Sequence, residues 1–227
     1  MTRTAHLLFA AHFIAAASLL AQDAPPKEDR AFRAADLVEL VTIDPTIRLD
    51  VRYAGKNNEF GRPFYSEARA FLQRPAAEAL MRVNRALKEK GYGLLVFDGY
   101  RPWSVTKAFW DATPADKKIF VANPKNGSRH NRGGAVDLTL YDLSTGREAE
   151  MGGAYDEMTA RSYVTYDKGP KDALGRRELL IDAMGREGFF VYPFEWWHFD
   201  WKDWREYAVL DVPFASIKRL SPAEATR

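Results

Sequence analysis

The sequence predicts a single α+β domain. Two segments, 75–90 and 171–187, carry the apolar stripe of amphipathic helices. Short apolar runs at 94–97 and 135–141 have the length and composition of buried strands. Helices and strands do not alternate as regular βαβ units, and no repeat or linker divides the chain, so one mixed core is expected.

In the first helix Pro75 suits the opening turn, Leu80, Val83 and Leu87 share one face, and Gly91 stops it. In the second, Leu174, Leu179, Ile181 and Met184 supply the apolar positions. Segments 37–41 and 47–53 are short extended candidates, with Asp44 and Pro45 marking a turn between them. Residues 54–66 form a loop, 103–112 a helix, 113–133 a loop-rich stretch and 142–156 a polar loop. Segments 189–192 and 197–201 are extended, and 205–227 forms a peripheral tail.

Composition excludes several functions. The chain has 227 residues with 33 Lys+Arg against 31 Asp+Glu, a net charge of +2. That near-balance argues against a nucleic-acid partner, which needs a basic face. With 13% aromatics the chain is not disordered. The absence of cysteine removes disulfides, thiolate metal sites and cysteine nucleophiles.

Residues 1–21 have the layout of a secretory signal peptide: Arg3, a mostly apolar run over 7–20, and Ala21 at the cleavage point. The apolar run is short of the ~18 residues that favour a membrane span, so cleavage is expected, with no stable membrane insertion afterwards. The mature protein is then periplasmic or secreted, beginning with a polar leader over 22–36.

Histidine is scarce. Of four, His6 and His12 fall in the signal segment, leaving His130 and His198. A catalytic zinc takes three protein ligands and keeps a fourth position open. With no cysteine, such a site here needs two imidazoles and a carboxylate.

Three segments carry the chemistry. In SRHNRGGAVDLTL (128–140), period two puts Ala135, Asp137 and Thr139 on one strand face and Val136, Leu138 and Leu140 on the other. Asp137 is then a carboxylate on a rigid strand, costly to bury unless paired or metal-bound. Gly133 and Gly134 let the chain double back and bring His130 towards it; a salt-bridged Asp and a loop His satisfy the same spacing. In EWWHFDW (195–201), Glu195 and His198 sit among aromatics that exclude water. On a straight strand they point to opposite faces, so sharing a site requires a bend before the strand, which Pro193 allows. In DGYRP (98–102), a strand end presents Arg101, either as a fixed cation for an oxyanion or as a brace paired with Asp98.

Together with NNEFGRPFY and MGGAYDEM, these motifs resemble the zinc D-alanyl-D-alanine dipeptidases over roughly residues 37–215, with a short tail at 216–227. The resemblance implies a small antiparallel central sheet flanked by helices, as in D,D-peptidases and hedgehog signalling domains. It implies one Zn2+ per chain bound by His130, Asp137 and His198. Glu195 would be the general base and acid, and Arg101 would polarise the scissile carbonyl. Asp156 would face the ammonium of a small dipeptide substrate, with Ser128 and Tyr65 near its carboxylate. Related wall-peptide carboxypeptidases and endopeptidases, and non-catalytic zinc-stabilised binding domains, share parts of this pattern. Glu195 and Arg101 argue against the last, because neither is needed merely to hold zinc.

Overall fold

The computed structural model describes residues 24–218. The expected signal segment and the end of the expected tail lie outside that range. In chain order the main elements are β1 (Leu37–Glu39), α1 (Leu40–Ile43), β2 (Arg48–Leu49), β3 (Phe71–Gln73), α2 (Arg74–Lys88), β4 (Tyr92–Asp98), α3 (Trp103–Ala112), β5 (Ala135–Asp142), α4 (Lys171–Arg186), β6 (Phe189–Tyr192) and β7 (Glu195–Trp201). Five strands form one sheet in the order β2-β4-β5-β7-β6. It is antiparallel apart from the short edge pair β2–β4. β1 and β3 make a separate antiparallel pair. The α+β class holds.

α2 packs on β4 and α4 through the expected Leu80, Val83 and Leu87, joined by three alanines. Its buried stripe also contains Asn84, which donates to Asp44 and Thr46 and accepts from the Leu94 amide. A buried amide needs such partners, and these tie α2 to both the α1–β2 turn and β4. β5 is central and buried along both faces, with Val136, Leu138 and Leu140 in the core as their period predicts.

Several expectations change. The strand expected over 37–41 ends at Glu39, where the chain turns into α1. Of 47–53 only Arg48–Leu49 is strand, followed by a 3-10 turn at Arg52–Ala54. β3 has no sequence signal because three residues are too few to show a period. In α4 the buried positions are Ala173, Arg177, Leu180 and Met184, so an arginine occupies the apolar stripe. The stretch from 205 onwards is not peripheral: Tyr207, Val209, Phe214 and Ile217 are buried, and Tyr100 exchanges hydrogen bonds with the Val212 backbone. These apolar residues are irregularly spaced, so no periodicity announces them. The leader also packs, with Glu28 accepting from Arg132 and the Val209 amide.

Gly99 joins β3 to the end of β4. A Cβ there would lie 2.6 Å from the Phe71 carbonyl oxygen and 3.2 Å from its amide nitrogen, and backbone cannot swing aside. Gly99→Ala is expected to destabilise the fold by about 1–3 kcal/mol, the usual cost of overpacking. Urea denaturation checks this as a lower midpoint at unchanged slope.

Candidate metal centre

Sheet register assembles the site. Asp137 on β5 lies directly opposite His198 on β7 and opposite Asp98 on β4. His130 opens a 3-10 turn, His130–Arg132, that Gly133 closes at φ 64 before the chain enters β5. That left-handed residue, favourable for glycine, returns His130 to the Asp137 face, as the double glycine suggested. His198 Nδ1 is 2.9 Å and His130 Nε2 is 3.4 Å from Asp137 Oδ1, and the two nitrogens are 3.2 Å apart. Among the described residues these three form a group able to hold a metal ion.

The donor set fits a small divalent cation. Zinc bonds to N and O of roughly 2.0–2.1 Å imply tetrahedral edges of about 3.3 Å, close to the spacings found. Each imidazole also has its other nitrogen engaged. His130 Nδ1 meets the Gly99 carbonyl at 2.7 Å, and His198 Nε2 meets Asp200 Oδ1 at 3.0 Å. Those acceptors hold a proton on the outer nitrogen of each ring, so His130 Nε2 and His198 Nδ1 are the nitrogens that would face a bound cation once His198 gives up its inner proton. Burial opposes charge on His198, yet its hydrogen bonds to Asp137 and Asp200 raise its pKa to about 10. Burial likewise works to raise Asp137, but the facing imidazoles hold it far below the carboxylate range. The cluster therefore stabilises positive charge at its centre.

Glu195 joins this face with Oε2 3.8 Å from His198 Nδ1. The bend expected before the strand lies within β7 instead. Val191 pairs with Phe199, but Tyr192 pairs with Glu195, so β7 carries an irregularity over residues 196–198. Such bulges re-aim side chains beside active sites. Burial raises the Glu195 carboxyl pKa, against the pull of His198.

Arg101 is buried and bonds Asp98 Oδ2 through Nε at 2.9 Å and Nη2 at 2.7 Å, with Asp137 Oδ2 3.9 Å away. The brace and the site-facing cation are one arrangement. The Tyr65 hydroxyl donates to Asp98 Oδ1 at 2.7 Å and the residue does not line the cavity, so it supports Arg101 from behind. Ser128 does line the cavity.

Arg101, His130, Asp137, Asp156, Glu195 and His198 border one cavity of about 650 Å³. Asp156 sits at φ 58, an uncommon conformation for a residue other than glycine, and accepts a hydrogen bond from Tyr53 at 2.5 Å. Burial pushes its carboxyl up to about 7, opposed by Tyr53 and assisted by the charges of Asp137 and Glu195.

The sequence reading missed three supporting side chains. Tyr155 donates to Asp137 Oδ2 at 3.1 Å, Tyr53 holds Asp156, and Asp200 orients His198 while pairing with Arg129 at 3.2 Å. Asp200, two residues after His198, and Tyr155, beside Asp156, lie in the EWWHFDW and MGGAYDEM motifs, whereas Tyr53 lies in no motif.

Known proteins resemble this chain over most of its length. The peptidase M15 family, described as D-Ala-D-Ala dipeptidase, matches residues 33–217. A D-alanyl-D-alanine dipeptidase of Escherichia coli (strain K12) is 34% identical over 187 residues, covering 82% of this chain and 94% of that protein. One of Enterococcus faecalis (strain ATCC 700802 / V583) is 35% identical over 187 residues, covering 74% and 88%. One of Streptomyces coelicolor (strain ATCC BAA-471 / A3(2) / M145) is 34% identical over 175 residues, covering 69% and 87%. The match spans the whole sheet and every residue of the His–Asp–His cluster, and the chain belongs to the D-Ala-D-Ala dipeptidase family.

Proposed function

We propose that this protein hydrolyses free D-Ala-D-Ala at a zinc site held by His130, Asp137 and His198. The observation that carries this reading is the convergence of those three donors beside Glu195 at one wall of the cavity. Zinc, when bound, supplies a Lewis acid for the peptide carbonyl and acidifies water at its open position.

The chain's own groups then divide the work. Glu195 is not needed as a ligand, and a carboxyl raised by burial is suited to taking a proton from water and returning it to the leaving amine. Arg101, fixed by Asp98, presents a permanent cation to the negative charge that develops on the carbonyl oxygen. Asp156 meets the substrate ammonium, and Ser128 lies where the carboxylate ends. A longer peptide brings no ammonium to Asp156, and leaving one buried charge unpaired costs selectivity against it. The apolar run and polar leader at the N-terminus support export to the periplasm or beyond.

The test is hydrolysis of D-Ala-D-Ala beside L-Ala-L-Ala, with and without a chelator. D-Ala-D-Ala alone should be cleaved, and chelation should abolish cleavage until zinc is restored. Rapid trimming of a pentapeptide ending in D-Ala-D-Ala would overturn the dipeptidase reading in favour of a carboxypeptidase. His130→Ala and Asp137→Ala should lose zinc on dialysis, measured by elemental analysis. Glu195→Gln should keep it while kcat falls about 10²–10⁴-fold; zinc loss from that variant would make Glu195 a ligand. Asp200→Ala should weaken zinc about 10–100-fold in chelator competition, because His198 loses the partner that fixes its ring.

A further inference from the structure

Arg177 is an unusual occupant of the α4 core stripe. It is 3% exposed, and among the described residues no carboxylate lies within ion-pair distance of it. Its guanidinium instead donates to three backbone carbonyls: Nε to Met151 at 2.5 Å, Nη2 to Arg161 at 2.9 Å and Nη1 to Tyr163 at 3.4 Å. The guanidinium also lies 5.0 Å from the Trp196 ring centroid, next to Glu195 on β7.

All three carbonyls belong to the segment between β5 and α4, and they bracket Asp156. The regular structure of that segment is one 3-10 turn at Ala160–Ser162, and Glu157 ties its middle together by accepting from the Ala154 amide and from Arg161, so Arg177 supplies the attachment to α4. The two glycines of the MGGAYDEM motif sit against the guanidinium. A Cβ on Gly153 would lie 3.1 Å from Arg177 Nη2 and 3.1 Å from the Arg161 oxygen, and one on Gly152 would lie 3.7 Å from Nη2. The motif thus has a physical reason beyond its acid: it leaves room for a cation that staples the loop.

We propose that Arg177 is the positioning residue for substrate selection, fixing the backbone on both sides of Asp156 and so the carboxylate that meets a dipeptide ammonium. The proposal rests on the ammonium role given to Asp156 above. Arginine suits the task because its planar fork serves several acceptors in fixed directions, whereas lysine offers one nitrogen and methionine none. The loop carries none of the three metal donors, and its link to them is the Tyr155 hydroxyl on Asp137 Oδ2, so the larger effect falls on substrate and the smaller on zinc. A misplacement of about 1 Å is enough to cost on the order of 10²-fold in rate.

The experiment compares the full chain with Arg177→Lys, Arg177→Met and Asp156→Asn. It measures kcat and KM for D-Ala-D-Ala and for N-acetyl-D-Ala-D-Ala, zinc affinity by chelator competition, and amide exchange over 150–163. Arg177→Met should lose about 10–100-fold in kcat/KM for the free dipeptide, mainly through KM. It should leave the acetylated substrate within twofold, change zinc affinity by less than it changes kcat/KM for the free dipeptide, and speed exchange across the loop. Arg177→Lys should fall between, and it decides the matter if the methionine variant does not fold. Retained preference for the free ammonium in a folded Arg177 variant overturns the proposal. So does a parallel loss on both substrates together with zinc affinity, which marks a general structural role. If Asp156→Asn itself keeps the preference, the ammonium reading fails first and takes the proposal with it.

Discussion

A carboxylate in the middle of a sheet cannot be left to itself, and the centre of this protein is arranged around Asp137. Uncompensated burial of an ion costs several kcal/mol even after relaxation. The fold meets that demand from every direction. His198 stands opposite on β7, His130 returns from a glycine-closed turn, Tyr155 donates a hydroxyl, and Arg101 approaches across Asp98. These partners are also what a divalent cation and a developing oxyanion require. The same electrostatic requirement that the core must meet is the one a bound divalent cation would meet.

The site divides into a rigid part and an irregular part. The metal donors, Glu195 and Arg101 sit on the central strands or within one turn of them, where backbone hydrogen bonds hold side-chain directions closely. Both register irregularities flanking Asp137, at Val96/Asp98 on β4 and at Val191/Tyr192 opposite β7, fall beside the site. They let consecutive motif residues share a face that a regular strand would split. Asp156, in contrast, rides on an irregular segment with a strained backbone angle. Its order comes from Glu157 within the segment, which accepts from the Ala154 amide and Arg161, and from the Tyr53 hydroxyl and the Arg177 fork outside it.

Much of this was legible beforehand. The lone pair of histidines beyond residue 21, the missing thiols and Asp137 on an otherwise apolar strand bounded the donor set. Two residues that eluded the sequence, Tyr53 and Arg177, have remote partners. Tyr53 reaches Asp156 across 103 positions, and Arg177 reaches Met151 across 26. Tyr65 shows the same difficulty from the other side. Its motif was recognisable, but which face of Arg101 it served depended on how the loop before β3 packs.

What the sequence determined by itself is whatever repeats at short range: the stripes of α2, the buried runs of β4 and β5, the glycines that close the turn after His130, and the residue types able to hold a cation. Tertiary structure decided register and depth. Whether Asp137 faces His198, whether β7 bulges to aim Glu195 inward, and whether an arginine inside α4 is a liability or a staple all depend on pairings between distant segments. Those pairings are fixed by the burial of whole surfaces and the satisfaction of buried charge, neither of which any local window of residues contains.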